Sequence, residues 1–549
     1  VFITFEGVEG AGKCFASGTP ILMYDGTIRR VEDVDVGDSV MGPDSRPRLV
    51  LETTQGRGLL YKVQPTKGDP YIVNGQHNLS LKISYASPRR RLKKGDIVTI
   101  QVADYVRQSH WFKQHALGWR CGVDFPAQPV TLDPYFLGLW LGDGSSDSPT
   151  ITTADDVIVD HLRILAQEQG VRLHQKQIKG DKCPVYTLTP PAYEKGVWAK
   201  DRNPFLVGLR FYNLVHNKHI PQAYKTNSRS VRLQLLAGLI DSDGCLSHNG
   251  YDIVLKREIL AQDVAFVARS LGFATYVKPC RKTCVNNQTT GSYFRLCISG
   301  AVDEIPVKLP RRQAQKRQQK KDVLVTGITV TEHGVDDFFG FEVNEDHLFL
   351  LGDFTVTHNS TQIRLLAARL GEAGRQDVLT TREPGDGPLG KELRSLALHP
   401  PMGIAVEARA ELLIMLADRA QHVGQVIRPH LDTGGVVLCD RYADSSVAYQ
   451  GYGRGLGLTE IQMLNAYATD GLMPDLTILL DIDPVIGLAR QRERNVMEEE
   501  ALPFHLRIRA GFLQLAEADP GRWLILDAAR PPAEVQADIW AAVSEHLAL

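Results

Sequence analysis

The stretch Phe2-Ile-Thr-Phe-Glu-Gly-Val-Glu-Gly-Ala-Gly-Lys13 runs into Cys14, and Phe354-Thr-Val-Thr-His-Asn359 runs out into Ser360-Thr361. An apolar run feeding Gly7-Val-Glu-Gly-Ala-Gly-Lys13 is the strand and glycine turn of a phosphate-binding loop, but the hydroxyl residue that should follow the lysine is absent. It stands instead at Ser360, so joining Lys13 to Ser360 spells GVEGAGKST. Glycines let backbone N–H groups approach phosphate oxygens, Lys13 neutralises β- and γ-phosphate charge, and the Ser360 hydroxyl meets magnesium. The expected nucleotide-binding set is therefore Gly7, Gly10, Gly12, Lys13, Ser360 and Thr361. Phosphate binding is expected to be poor while residues 14–359 separate its two halves.

Removing those 346 residues leaves 203, the size of one phosphate-loop domain, and the removed part is long enough for two more. The two parts differ in charge. Lys+Arg against Asp+Glu is 19 to 28 outside the interruption and 43 to 36 inside it, so a net charge of −2 hides an acidic host and a basic insert. Of the lysines, only Lys13 and Lys391 belong to the host. The eight cysteines show no paired framework, and Cys280 and Cys284 lack a second ligand pair for zinc, which points to a reducing compartment. No apolar run reaches membrane-span length and no charged-then-apolar leader opens the chain; a cytoplasmic location without membrane contact is expected.

The joined host alternates strand-like runs (Val1-Phe5, Val436-Cys439, Leu476-Leu480, Trp523-Leu526) with helical stretches, which predicts a parallel α/β sheet. Thr381-Arg-Glu-Pro-Gly385, Leu416-Ala-Asp-Arg-Ala-Gln-His422, Asp440-Arg-Tyr-Ala-Asp-Ser-Ser-Val-Ala-Tyr-Gln450 and Pro474-Asp-Leu-Thr-Ile-Leu-Leu-Asp481 follow in order. This series resembles bacterial-type thymidylate kinase. The resemblance implies phosphoryl transfer from ATP to dTMP with magnesium, in a homodimer. It also implies that Glu9 faces the acceptor sugar, that Asp440 organises metal or acceptor phosphate, and that Arg382, Arg419 and Arg441 hold phosphate oxygens. Tyr449 and Gln450 would line the nucleoside pocket, and Arg490, Arg492 and Arg494 would form a lid over ATP. Read without its motif, Arg419 has a solvated helix face as its alternative. The chain departs from the family pattern at Asp386-Gly387, at Met415 and at Asn495-Val496.

Cys14-Phe-Ala-Ser-Gly-Thr-Pro-Ile21 opens the insert and Thr357-His-Asn359 closes it, with β-branched and apolar runs between glycine and aspartate turns. These ends resemble an intein, implying an all-β splicing (Hint) domain over 14–128 and 322–359 that needs no cofactor. Cys14 would attack the Lys13 carbonyl, Ser360 would take over the acyl group, and Asn359 would cyclise with help from His358. Tyr71-Ile-Val-Asn-Gly-Gln-His77 resembles the block that carries the activating histidine, with Asn74 replacing a threonine; His77 would polarise the Lys13–Cys14 amide.

Within the insert, Phe136-Leu-Gly-Leu-Trp-Leu-Gly-Asp143-Gly144 and Leu235-Leu-Ala-Gly-Leu-Ile-Asp-Ser-Asp243-Gly244 form an internal repeat. Two apolar helices with glycines at their contact would bring both terminal acids to one point. The repeat resembles LAGLIDADG homing endonucleases, implying a nested α+β domain over 129–321 that cuts double-stranded DNA. Asp143 and Asp243 would hold a divalent metal, magnesium in the first instance, with Lys218 and Lys308 as matching basic partners. The runs Arg311–Lys321 and Arg89–Lys94 would meet DNA phosphates. The host segments are then 1–13 and 360–549. A non-splicing fusion of a phosphate-loop module with a DNA-binding domain, and a kinase for another nucleoside monophosphate, are the alternatives.

Overall fold

The computed structural model describes residues 1–7, 14–75, 77–87, 92–176, 183–190, 203–247, 250–283, 290–316, 321–344, 347–358, 362–375, 377–398, 400, 406–489, 497, 500–530 and 532–549. The residues on either side of the insert share one sheet. Five parallel strands lie in the order Val378–Arg382, Val436–Asp440, Phe2–Gly7, Leu476–Asp481, Trp523–Asp527, so the chain's first residues form the central strand. Side chains alternate across it. Ile3 and Phe5 pack against Leu366 and Leu370 of the helix Gln362–Glu372 and Ile539 of the helix Pro532–His546. Phe2 packs with Val423, Ile427 and Tyr442 on the opposite face. Covering both faces explains why the strands read as continuous apolar runs.

This order makes the chain turn to one side of the central strand and later to the other, which opens a crevice at the strands' carboxyl ends. Gly7 leaves the strand there with φ +152°, and a Cβ at its position would lie 2.5 Å from the Leu480 carbonyl oxygen. Only glycine lets the chain enter the loop by this route.

The splicing domain is built on two long antiparallel strands, Pro47–Pro65 and Ile328–Val343, paired from Pro65↔Ile328 to Val50↔Val343. Phe15–Ala16 and Tyr71–Asn74 join that sheet. A second sheet runs Val325–Thr326, Ala116–Trp119, Asn78–Ile83, Val356–His358, Leu348–Leu350, with Ile97–Gln101 also paired antiparallel to Asn78–Ile83. It is β-rich as expected, with two short helices, Val102–Arg107 and His110–His115.

The repeat forms two helices, Pro134–Asp143 and Arg229–Asp243, that cross at their glycines. A Cβ on Gly138 would lie 2.2 Å from the Leu235 carbonyl oxygen, and one on Gly238 would lie 2.1 Å from that of Tyr135. Asp133 accepts from the Phe136 N–H at 2.7 Å, and Pro134 starts the first helix without wasting a donor. Each helix is followed by a sheet, of three strands in the first half and four in the second, and by a covering helix, Asp156–Glu168 and Glu258–Ser270 respectively.

Replacing Gly238 by valine forces these helices apart. The expected cost is about 3 kcal/mol, read as a lowered melting transition of the helix-pair domain while the five-stranded domain is unaffected.

Candidate functional sites

Both ends of the insert converge in the splicing domain. The strand Phe15–Ala16 starts next to Cys14 and pairs with Val73 on one side and Phe339 on the other. The Cys14 N–H, the nitrogen of the Lys13–Cys14 peptide, donates to Asn74 Oδ1 at 3.3 Å, and the Asn74 N–H donates to the Cys14 carbonyl at 3.0 Å. The strand Val356–His358 arrives from the other end, pairing His358 with Asn78. His77 lies between the two junctions: its N–H donates to the Asn74 carbonyl at 3.1 Å, its ring meets Phe15 edge-on at 4.4 Å, and its Nε2 is 2.7 Å from Thr357 Oγ1. The imidazole expected to act at the first junction thus also contacts Thr357, two residues before Asn359 in the sequence. Asn74, noted in the sequence only as a departure, is the residue that grips the Cys14 amide. Asn359, Ser360 and Thr361 lie outside the described residues.

The helix pair brings Asp143 and Asp243 together: a Cβ on Gly142 would be 3.2 Å from Asp243 Oδ2. Burial, and then the charge of Asp243, push the Asp143 carboxyl up to about 6, and burial raises Asp243 as well. Two like charges held together out of water are what a divalent cation would relieve, so the pair fits a metal. Among the described residues no group of three His, Cys, Asp or Glu converges on a cation site. Oxygens of backbone, water or DNA would suit the remaining positions of such a cation.

Lys218 Nζ donates to the carbonyls of Leu141, Gly142 and Gly144 at 3.1, 3.2 and 2.8 Å, at the end of the first helix. Burial pulls this ammonium down to about 8 against the opposing attraction of Asp243 and Asp143. At the end of the second helix, Arg312 holds the carbonyls of Ile240 and Ser242, the latter, which matches Gly142, at 3.0 Å. Lys308, expected in the matching place, puts its Nζ 4.8 Å from the Tyr135 ring centre. Its backbone N–H donates to Asp241 at 2.6 Å. The counterpart of Lys218 is Arg312. Arg311 pairs with Asp155 at 2.7 Å, so the first two cations of the expected phosphate-contacting run are engaged within the protein.

At the carboxyl edge of the five-stranded sheet, Arg382 and Asp440 lie side by side. The Arg441 N–H donates to the Phe5 carbonyl at 2.8 Å; this residue takes φ +66° and places its guanidinium 5.2 Å from the Tyr449 ring centre. A non-glycine residue in that region is held there by its surroundings, a cost typical of functional turns. Glu6, which the motif reading passed over, accepts from the Tyr442 N–H at 2.9 Å and from Ser445 Oγ at 2.5 Å, tying the central strand to this turn. Burial, and then Asp444, push Glu6 up to about 8, so its carboxyl is largely protonated at neutral pH. Its signal in the sequence was an acid at the end of an apolar strand, next to the first glycine of the loop.

Arg419 is buried and fully engaged. It donates to Glu383 at 2.8 Å, Ser446 at 2.9 Å, Asn465 at 2.7 Å and the Tyr442 carbonyl at 2.9 Å. Expected at phosphate oxygens, it is here a tie between the acceptor-side loops. Gln450 donates to Glu411 at 2.9 Å, and Arg454 holds the same carboxylate at 3.0 Å. Met415 packs with Leu398, Met497 and Tyr449. Glu9, Gly10, Gly12, Lys13, Arg490, Arg492 and Arg494 lie outside the described residues.

The model of the family described as thymidylate kinase matches residues 359–539. Over 190 residues the chain is 51% identical to the thymidylate kinase of Deinococcus radiodurans, covering 34% of this chain and 91% of that protein. Over 198 residues it is 50% identical to that of Solidesulfovibrio magneticus, covering 34% and 94%. The chain belongs to the thymidylate kinase family. Family models described as Hom_end-associated Hint and homing endonuclease match residues 14–108 and 219–321. This thymidylate kinase is therefore interrupted by an intein that carries a homing endonuclease. No helix among the described residues is long and apolar enough to cross a membrane.

One departure of this thymidylate kinase has a visible physical role. His422 Nδ1 lies 2.9 Å from Glu383 and its Nε2 lies 2.6 Å from Thr381 Oγ1, which in turn donates to Asp386. Burial alone would lower the imidazole, but hydrogen bonding to Asp386 and Glu383 outweighs it and raises His422 to about 9. The same contact with His422 holds Asp386 well below the usual carboxylate range. A histidine raised in the folded state contributes stability that is complete below its unfolded value of about 6.5. That contribution fades as pH climbs through 9. Replacing Asp386 by asparagine in the ligated host is expected to cost about 1 kcal/mol at pH 7, since Asp386 is partly exposed. It should also flatten the loss of stability between pH 6.5 and 9, measured by denaturant titration across that window.

Proposed function

We propose that the chain excises residues 14–359 and joins Lys13 to Ser360, releasing a cytoplasmic, homodimeric, ATP-dependent dTMP kinase and a site-specific DNA endonuclease. The observation that carries this reading is the meeting of both insert ends at His77, between the Asn74-held Cys14 amide and Thr357. Cys14 Sγ attacks the Lys13 carbonyl carbon; the C–S bond forms, the C–N bond breaks, and the Cys14 nitrogen takes a proton. Ser360 Oγ then attacks the thioester and the Cys14 thiolate leaves. The Asn359 side-chain nitrogen attacks its own carbonyl, expelling the Ser360 amine, which takes a proton with help from His358. That amine attacks the Lys13–Ser360 ester, and the peptide bond forms as the hydroxyl is released.

The freed hydroxyl joins Lys13 at the nucleotide, with Gly7, Gly10, Gly12 and Thr361 around the phosphates. Ser360 and Asp440 would hold magnesium, which neutralises charge on the transferring phosphoryl group. Glu9, Arg382, Arg441, Tyr449 and Gln450 are assigned to dTMP, and Arg490, Arg492 and Arg494 to the lid. Support for the acceptor assignment is that Arg382 and Asp440 are paired at the carboxyl edge of one sheet and that Arg441 is the next residue, held to Phe5 of the central strand. A homodimer is supported by apolar side chains left exposed on neighbouring helices, among them Leu413, Met463 and Tyr467. In the endonuclease, Asp143 and Asp243 would hold a divalent metal that activates water and stabilises the leaving oxygen. Lys218 and Arg312 fix the helix ends that carry them, and Lys308 is left for the DNA strand.

The test compares the chain as expressed with the double variant Cys14→Ala/Asn359→Ala and with Ser360→Ala. dTMP phosphorylation is expected only from the unaltered chain. Kinase activity in the double variant equal to that of the unaltered chain would contradict the reading.

A further inference from the structure

The helix Glu258–Ser270 belongs to the endonuclease, and most of its buried residues, including Leu260, Val264 and Val267, pack into that domain's own core. Phe266 does not. It lies in a separate cluster with Phe354, Val356, Leu350 and Phe125, which are residues of the splicing domain's last hairpin and of the segment leading into the endonuclease. Its ring meets Phe354 edge-on at 5.2 Å and stacks on Phe125 at 6.5 Å. Phe354 turns the hairpin between Leu348–Leu350 and Val356–His358 with φ +68°, a conformation that phenylalanine adopts only when its ring is held.

A second grip comes from Arg120, which donates through Nε and Nη2 to Asp353 at 3.1 and 3.0 Å in the same turn. Through Nη1 it also reaches Tyr276 Oη of the endonuclease at 3.4 Å. The connecting segment is fixed from the endonuclease side as well: the Val123 N–H donates to the Ser270 carbonyl at 2.8 Å, and buried Arg232 donates to the Val123 carbonyl at 3.0 Å. The strand that leaves this clamped turn carries Thr357 and His358, the two residues that precede Asn359 in the sequence.

We propose that the endonuclease domain is a working part of the splicing machinery, with Phe266 a positioning residue that holds the last hairpin so that Asn359 is aligned to cyclise. This rests on the splicing reading above. It predicts a selective effect, because Phe266 touches the hairpin of the second junction and not the strand after Cys14. A displacement of reacting atoms on the ångström scale is enough to slow an intramolecular attack by orders of magnitude.

The test separates the two junctions in the full chain. In a Cys14→Ala background the only available reaction is release of residues 360–549 by Asn359 cyclisation. In an Asn359→Ala background added dithiothreitol reports cleavage after Lys13. Phe266→Ala is expected to slow the first reaction about tenfold or more and to leave the second within about twofold; Phe266→Leu, which keeps most of the apolar volume, should restore much of the first rate. Equal slowing of both reactions, no slowing of either, or failure of Phe266→Leu to restore the rate would overturn the proposal. If the unaltered chain yields no ligated host, the splicing reading itself falls, which the unsubstituted arm reports independently of Phe266.

Discussion

The pairing of Pro47–Pro65 with Ile328–Val343 is the interaction on which the rest of the molecule depends. It joins segments separated by the whole endonuclease, and the entropy of closing so long a loop grows only slowly with its length. The two nestings, of endonuclease in splicing domain and of insert in kinase, use the same device. Trp119 pairs with Val325, so the endonuclease leaves and re-enters the splicing domain at adjacent positions of one sheet. Phe15 pairs with Phe339 while His358 pairs with Asn78, which returns the insert's ends to one place. The strand Phe2–Gly7 lies between Val436–Asp440 and Leu476–Asp481, so the kinase sheet closes around the insert. Each guest enters where strand pairing already holds the chain ends close, and for that reason insertion leaves the outer fold standing.

That arrangement bears on the kinase before any ligation. Glu6 already links the central strand to the Tyr442 turn, and Arg419 already ties Glu383, Ser446 and Asn465 together. These ties are thus already made in the unspliced chain of 549 residues. On the proposed reading, ligation supplies the covalent continuity from Lys13 to Ser360. A residue at position 360 answers to two demands, an oxygen that can carry an acyl group and an oxygen that can meet a metal; serine satisfies both.

Much of this was legible in the residues because the chemistry tolerates few alternatives. The asparagine proposed to cyclise is read from its chemistry, and a glycine at a φ of +152° beside the Leu480 carbonyl and glycines at a helix crossing leave no room for a side chain. The parts that escaped are those whose meaning lies in three dimensions. Lys308 has the sequence context of a match to Lys218, yet Arg312 holds the second helix end while the Lys308 ammonium lies over the Tyr135 ring, and only the folded chain shows which cation reaches those carbonyls. Arg419 reads as an open cation until its four partners, contributed by distant segments, are seen around it. Asn74 and Asp386 looked like defects in motifs; one accepts from the Cys14 amide and the other joins the His422 network.

The central claim is that Lys13 and Ser360 become neighbours in a single polypeptide. Digestion of the expressed protein after glutamate, followed by tandem mass spectrometry, reads this directly. The account predicts one peptide running from Gly10 through Lys13-Ser360 to Glu372. Finding only peptides in which Lys13 precedes Cys14 and Asn359 precedes Ser360 would contradict it.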